Sequence, residues 1–486
     1  MDRRNTLKTL TLGAASLCLP SPGAGATKPN VLLICVDDLR PVMGCYGGKI
    51  LTPNMDRFAE TGATFTHHYV QWPVCGPSRS CMMSGLRPDT TGIYGNGGTG
   101  IIAQHPDTRP TMPLHFRNNG YTTMSFGKIY HGRNTESGFG WSTTPWNPSS
   151  GWTCYVDWSG PKNGTKINGI TPYRPIHEIY NGPDNLHGDY QTADQTIQAL
   201  EQNREGPFYL AAGFYKPHLP FVAPRRFWDL YDHDDIHPTD NPGLPENAAD
   251  FMYHSSEIWT YGMSGRLFTG VTPPTAEQAR TMIHAYYAAV SFIDAQIGRI
   301  LSRLDDLGLR DNTAVIIWGD HGFHLGDHRR WAKHTQFENA MRSPLIVRFP
   351  GRQKADLISP AIVETVDIYP SLCDYCTLSP PDHLEGVSFG RAVAGSDPEG
   401  KIAAYSQISP LTRQERHLMA YSIRTRNFRY VEWRDTKRRY AVVHTELYDH
   451  RTDPRETVNA AGLSRYAADI TEHARLVRSG YASLQQ

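Results

Sequence analysis

The 486-residue chain has no excess of charge of either sign: 48 Lys and Arg face 48 Asp and Glu. It therefore offers no global basic field to hold nucleic acid or a polyanion, and any anion recognition must be local. Beyond its N-terminal segment it lacks an apolar run long enough to span a bilayer, and it has no internal repeat and no low-complexity tract. Cysteine is scarce, at 8 residues. Without Cys18, which lies in the N-terminal segment, an odd number remains, so at least one has no disulfide partner in the chain. Only one C-x-x-C occurs, at Cys373 and Cys376, in a stretch (VDIYPSLCDYCTL) that reads as a helix. With no second pair it makes no zinc site. Structural cysteines are expected there, with a bridge in an oxidising compartment as one outcome.

The composition that is present, 39% apolar and 20% charged residues with 43 Gly and 35 Pro, is that of a folded, loop-rich globular protein. The length suits several domains or one large α/β domain with a smaller partner. Residues 1–26 read as a signal peptide. Arg3 and Arg4 are followed by the weakly apolar Leu7–Pro20 and by Ala-Gly-Ala at 24–26, with cleavage near Ala26. The arginine pair resembles a twin-arginine signal; an ordinary secretory signal is the alternative. Leu17 does not suit a lipoprotein cleavage box. An exported protein, periplasmic or extracellular, is expected.

Continuous apolar runs at Asn30–Val36, Tyr121–Phe126, Phe208–Phe214 and Thr313–Trp318 suit strands buried on both faces of a parallel sheet, and Pro344–Phe349 is a fifth candidate. Helical patterns lie between them, at Tyr190–Asn203 and at Thr275–Leu307. In the latter Met282, Tyr286, Ala289, Ile293, Ile297, Ile300 and Leu304 recur every three or four residues. This alternation predicts an α/β fold with helices on both faces. Residues 132–183, rich in Gly, Pro, Asn, Trp and Tyr, read as long loops. From about Ser388 the pattern changes to short antiparallel strands (Ala420–Ile423, Phe428–Trp433, Ala441–Thr445) and a final helix. Two units are expected after the signal: a catalytic α/β domain over 27–387 and an α+β subdomain over 388–486.

Ligands of open α/β sheets bind beyond the carboxyl ends of the strands. Here those ends carry Asp37-Asp38, Lys128 with His131, Lys216 with His218, and Asp320-His321. One acidic pair could merely cap a helix, whereas four polar endings suggest a site. Asp37, Asp38 and Asp320 offer hard oxygen ligands for calcium or magnesium. His321 reads as a ligand or as a hydrogen-bond partner of one. Cys75 stands in VCGPSRS, with Pro77 suited to a first helical turn. That puts Cys75 at a helix entrance, where free N–H groups favour an anion, with Arg79 on the same face. It reads either as a nucleophile of depressed pKa or as a buried structural cysteine.

Cys75, Pro77 and Arg79 match the C-x-P-x-R signature of the type I, formylglycine-dependent sulfatases, which this chain resembles. NVLLICVDDLRPVMGCYG, GLRPDTTGIYG, GKIYHG, YKPHLPF, DHGFHLGDHRRWAKHTQFE and ELYDHRTDPRE follow in the family's order over essentially the whole mature chain. Within the family they look most like iduronate-2-sulfatases and related bacterial polysaccharide sulfatases. The resemblance implies an alkaline-phosphatase-like α/β fold, a large mixed or parallel sheet between helices with a C-terminal antiparallel sheet. It implies that Cys75 becomes formylglycine through a sulfatase-maturing enzyme. It further implies one Ca2+ held by Asp37, Asp38, Asp320, His321 and residue 75, with Arg79 holding the formylglycine and the charge on the metal side, and Lys128, His131, His218 and Lys333 around the sulfate.

The implied reaction is hydrolysis of a sulfate ester on a sugar, such as a 2-O-sulfated uronic acid of an acidic polysaccharide. His324, His105, Arg133 and Arg348 are candidates for sugar or carboxylate contacts; Trp146 and Trp152 would either join them or simply pack. Rival readings are a phosphonate or phosphodiester hydrolase, a small-molecule sulfatase such as a choline sulfatase, and a non-catalytic sulfoglycan-binding protein.

Overall fold

The structure is a computed structural model that describes residues 28–96, 109–132, 140–157, 174–249, 257–263, 266–267, 274–410, 417–481 and 484. The expected signal peptide, His105 and Arg133 lie outside the described residues. Seven strands form the main sheet: Asn30–Val36 (β1), Ala63–Tyr69 (β2), Thr122–Gly127 (β3), Phe208–Phe214 (β4), Thr313–Gly319 (β5), Leu345–Arg348 (β6) and Leu357–Glu364 (β7). Their spatial order is β7-β2-β6-β5-β1-β4-β3. β1 pairs in parallel with β5 and β4, and β4 with β3. β6 runs antiparallel to both β5 and β2, while β7 is parallel to β2. Six strands therefore end at one edge of the sheet, and β6 alone ends at the other.

The continuous apolar runs are explained by burial on both faces. Every residue of β1, β4 and β5 is buried. Side chains alternate between two cores because a strand has a period of two. Leu32, Ile34 and Val36 face one core with Met282, Ile293 and Ile300, and Val31, Leu33 and Cys35 face the other with Met82, Ile368 and Leu372. Each such side chain contributes roughly 1.5–3 kcal/mol on burial.

Helices flank the sheet on both sides: Cys75–Ser84 (α1), Gly188–Gln202 (α2), Ala276–Asp306 (α3) and Ile368–Tyr375 (α4). The long α3 starts with a capping box. Thr275 Oγ1 accepts from Gln278 N at 3.2 Å, and Gln278 Oε1 accepts from Thr275 N at 2.9 Å. Both α2 and α3 lie within a residue or two of the sequence expectation. At α4, Cys373 and Cys376 are both free and buried, as structural cysteines would be, without a bridge between them. Parts of 132–183 are not loop, since His177–Tyr180 pairs with Phe221–Pro224 and Arg174–Pro175 with Tyr261–Gly262. No helix among the described residues is long and apolar enough to cross a membrane.

The C-terminal part contributes the antiparallel sheet Ala403–Ile408 (β8), Leu418–Thr425 (β9), Phe428–Asp435 (β10) and Ala441–Asp449 (β11), with the helix Ala467–Gly480 (α5). It packs through its own core, which also takes in Trp72, Val74 and Phe337. Buried ion pairs join it to the segment after Lys333. Arg429 Nη2 meets Glu338 Oε2 at 2.6 Å and Arg424 Nε reaches the same oxygen at 3.2 Å, while within the C-terminal part Arg429 Nε meets Glu456 Oε1 at 2.6 Å.

Candidate active site

The ends of β1, β5, β3 and β4 bring Asp37-Asp38, Asp320-His321, Lys128 and His218 to one edge of the sheet. β2 ends at the same edge and leads to α1, whose first residue is Cys75. Asp37, Asp38, Arg79, Asp320 and His321 are fully buried, and Cys75 is nearly so. Arg79 reaches inward from α1. Its Nε donates to Asp320 Oδ2 at 2.8 Å, one Nη donates to Ile129 O at 3.1 Å, and the other faces Asp37 Oδ1 at 3.4 Å. Lys128 Nζ donates to Asp37 Oδ2. Lys333 Nζ donates to Asp38 Oδ1 at 2.7 Å and lies 3.6 Å from Cys75 Sγ. Each carboxylate is thus matched to a cation that another element supplies.

Asp38 has left-handed backbone, with φ 59. Its N–H donates to Asp320 Oδ1 at 3.0 Å, and its carbonyl accepts from Tyr286 OH at 2.8 Å. Such strain persists only where neighbours over-determine it. The segment carrying Lys333 is held similarly. The short hairpin His324–Leu325 with Trp331–Ala332 precedes it, and His328, Arg329, Ala332 and His334 all have positive φ.

The electrostatics separate the carboxyl groups. Burial alone would raise Asp37, but the Lys128 ammonium holds it well below the usual carboxylate range. Burial, and then the Asp37 charge, push Asp320 up. Burial, followed by the Asp37 charge, also pushes the Cys75 thiol well up. Of the two readings of the unmodified Cys75, this burial favours the buried cysteine over a thiolate of depressed pKa, because desolvation outweighs Lys128 and Lys333. Burial and the Lys128 charge push His131 down to about 3, so its ring is neutral at ordinary pH.

A divalent cation fits these residues. Asp38 Oδ2 is buried without a hydrogen-bond partner. His321 Nδ1 faces the Gly322 carbonyl at 2.9 Å, and donating there leaves the Nε2 lone pair facing inward. That nitrogen lies 3.3 Å from Asp38 Oδ1, 3.6 Å from Asp320 Oδ1 and 3.3 Å from Cys75 Sγ. Donor atoms of Asp37, Cys75, Asp320 and His321 all lie within 4.8 Å of one another. The set is mainly hard oxygen.

Lys128 also lines a cavity of about 340 Å³ with His131, His218, Asn96, Tyr130, Trp152, Tyr215 and Glu257. His218 Nδ1 bonds to Leu219 O at 2.5 Å, and its Nε2 faces Glu257 Oε1 at 3.2 Å. The other Glu257 oxygen lies 3.2 Å from Lys333 Nζ. Sequence reasoning missed Glu257, Asn96, Tyr130 and Tyr215. The predicted strand ends pointed to Tyr130 and Tyr215, but nothing in EIWTYG marked Glu257.

Two expected sugar contacts lie elsewhere. Arg348 pairs with Val315, near the start of β5, because β6 is antiparallel. It lies at the opposite edge of the sheet, stacked over Phe58. His324 is fully buried. Its Nε2 meets Thr335 Oγ1 at 2.8 Å, so it braces the segment of Lys333, and it is not among the described residues that line this cavity. Trp152 lines the cavity, whereas Trp146 pairs by its backbone with Phe126.

A model of the sulfatase family matches residues 29–377, and one of the C-terminal region of N-sulphoglucosamine sulphohydrolase matches 326–478. The chain is 31% identical to iduronate 2-sulfatase of Homo sapiens, over 88% of this chain and 90% of that protein. It is similar in fold to phosphonate monoester hydrolase of Agrobacterium radiobacter, with a TM-score of 0.77, 24% identity and coverage of 93% and 95%. A structure solved with its substrate D-glucosamine-2-N,6-O-disulfate has a TM-score of 0.74, 23% identity and coverage of 94% and 98%.

Proposed function

The chain belongs to the sulfatase family and is a sulfuric ester hydrolase, and from that premise we propose that its substrate is a sulfated sugar, a 2-O-sulfated uronic acid or a related residue of an acidic polysaccharide. The observation that supports this most is the juxtaposition at Lys128. Its ammonium bonds to Asp37 in the buried cluster, and its side chain lines a cavity that also carries His131, His218 and Trp152. The likeness to iduronate 2-sulfatase supports the uronic acid.

Oxidation of Cys75 to formylglycine by a maturing enzyme would give an aldehyde whose hydrate carries two hydroxyls on one carbon, one to attack sulfur and one to drive release of sulfate. A serine or plain thiol could not regenerate itself in this way. A divalent cation, calcium by the hard-oxygen character of the set, would be held by Asp37, Asp38, Asp320, His321 and residue 75 and would add positive charge beside the sulfate. Lys128 and Lys333 neutralise the sulfate oxygens at fixed positions. Arg79 keeps the carboxylates of Asp37 and Asp320 oriented. Asp320, its pKa raised, takes the proton of the attacking hydroxyl, and His218 protonates the departing sugar oxygen. His131, kept neutral by burial, accepts the second proton. Trp152, Tyr130 and Tyr215 line a cavity of about 340 Å³, which favours exo action on one terminal sugar. The N-terminal segment supports work outside the cytosol.

The test is free sulfate released from defined disaccharides. A non-reducing-end 2-O-sulfated uronic acid should be cleaved in preference to 6-O-sulfated glucosamine, an aryl sulfate or choline sulfate. Cleavage of a phosphonate monoester with no sulfate released from any sugar would overturn the reading.

A further inference from the structure

Lys216 lies two residues beyond the end of β4, and its side chain is fully buried. Its Nζ donates to Trp152 O at 3.2 Å, to His218 O at 2.8 Å and to Pro220 O at 2.9 Å. An ammonium has three hydrogens and no acceptor, so its bonding capacity is fully used. The backbone of Lys216 is pinned as well: Asp189 Oδ1 accepts from Tyr215 N and its Oδ2 accepts from Lys216 N, both at 2.9 Å.

From this geometry we propose that Lys216 is a positioning residue that ties the proton donor and the cavity wall into one rigid unit. The proposal rests on the reading of His218 as that donor. The route runs through the backbone. Lys216 fixes the carbonyls of residues 218 and 220; between them Leu219 O bonds to His218 Nδ1, and this sets the ring so that Nε2 faces the cavity. The third carbonyl belongs to Trp152, whose ring meets the His218 ring edge-on, with centroids 5.8 Å apart and planes at 80°. One buried charge thus holds both the imidazole and the aromatic face beside it.

A bland role in packing does not account for a lysine here. Taking an ammonium out of water is expensive, and an unbranched apolar side chain would fill the same space without that penalty. What an apolar chain cannot do is gather three carbonyls. The neighbouring Cys154, His187 and Asp189 have donor atoms within 4.8 Å of one another, a spacing that would also suit a metal. Both Asp189 oxygens are taken by backbone N–H groups, however; burial lowers the Lys216 pKa, and the fields of Cys154 and then Asp189 work against that lowering. The cation of this region is already supplied by the chain.

The experiment compares Lys216→Met with His218→Ala on two esters, a sulfated sugar and an activated aryl sulfate. Proton donation matters for the poor sugar leaving group and little for the aryl one. Lys216→Met should lower kcat on the sugar ester by about 10²-fold, the scale of a 1 Å misplacement, with much less loss on the aryl ester. His218→Ala should show the same selectivity, and the double variant should be no worse than His218→Ala. If His218→Ala is selective but Lys216→Met loses both activities equally, Lys216 is only structural and the proposal fails. If His218→Ala itself is unselective, the donor reading fails and the proposal falls with it. Should Lys216→Met not fold, Lys216→Gln keeps an amide donor for part of the carbonyl set, and the same selectivity or its absence decides.

Discussion

Arg79 Nε donates to Asp320 Oδ2 at 2.8 Å, and both side chains are wholly buried. This bond joins the helix that begins at Cys75 to the end of β5. It fixes residue 75 relative to Asp320 and His321 before any substrate arrives. Burying such a pair is not by itself stabilising, but breaking it from one side is strongly destabilising.

Arg79→Met therefore leaves Asp37 and Asp320 without their guanidinium. Its unfolding free energy, measured in urea, should drop by about 3–5 kcal/mol, with activity lost. Arg79→Lys should recover only part, because a point ammonium cannot serve Asp320, Ile129 O and Asp37 together. Stability equal to the wild type in Arg79→Met would contradict this.

Cation binding should be visible without any assay of activity. Protein stripped with a chelator should gain thermal stability when calcium is added, by about 2.7 kcal/mol once calcium is 100-fold above its Kd. Asp38→Asn, which alters the oxygen left without a partner, should blunt the gain. A melting curve indifferent to calcium, magnesium and manganese would show that these residues hold no such ion.

Glu257 places a carboxylate between His218 and Lys333, where a sulfate would need those cations. In Glu257→Gln, inorganic sulfate should inhibit at several-fold lower concentration, since a like charge has been removed. At the same time kcat on the sugar ester should fall, because His218 loses a partner. Unchanged inhibition by sulfate would place the anion elsewhere.

Glu446, in the C-terminal sheet, offers a pH test remote from the site. Trp433 Nε1 and Tyr448 OH each donate to it at 2.9 Å. Burial nevertheless pushes its carboxyl from 4.5 up to about 7. A raised folded-state pKa means that the folded protein binds this proton more tightly. The contribution is complete below pH ~4.5 and is lost as pH rises towards ~7, on the order of 3 kcal/mol in all. Glu446→Gln should flatten the decline of stability over that window; an identical pH profile would contradict the assignment.

The sequence exposed much of this arrangement, and its failures have physical causes. The runs that became β1, β4 and β5 were legible because burial on both faces leaves nothing polar along them. β2 was hidden by Thr64, Thr66, His67 and His68, and β7 by Pro360 and an irregular register around it. Strand direction was not legible either. Arg348 was a candidate for a sugar or carboxylate contact, but the reversed β6 carries it to the far edge of the sheet. Helical spacing showed that Arg79 shares the face of Cys75, yet only the folded chain shows which carboxylates it meets. Glu257 was invisible because its partners, His218 and Lys333, come from other elements and leave no local pattern around it.

The proposed chemistry stands or falls on the side chain at position 75. Protein made in a host able to mature sulfatases should be purified, shown to release sulfate from a sulfated sugar, and digested so that the peptide containing Cys75 can be weighed. The active protein should carry an aldehyde or its hydrate there, and Cys75→Ala should release no sulfate. Fully active protein with an intact thiol at residue 75 would contradict it.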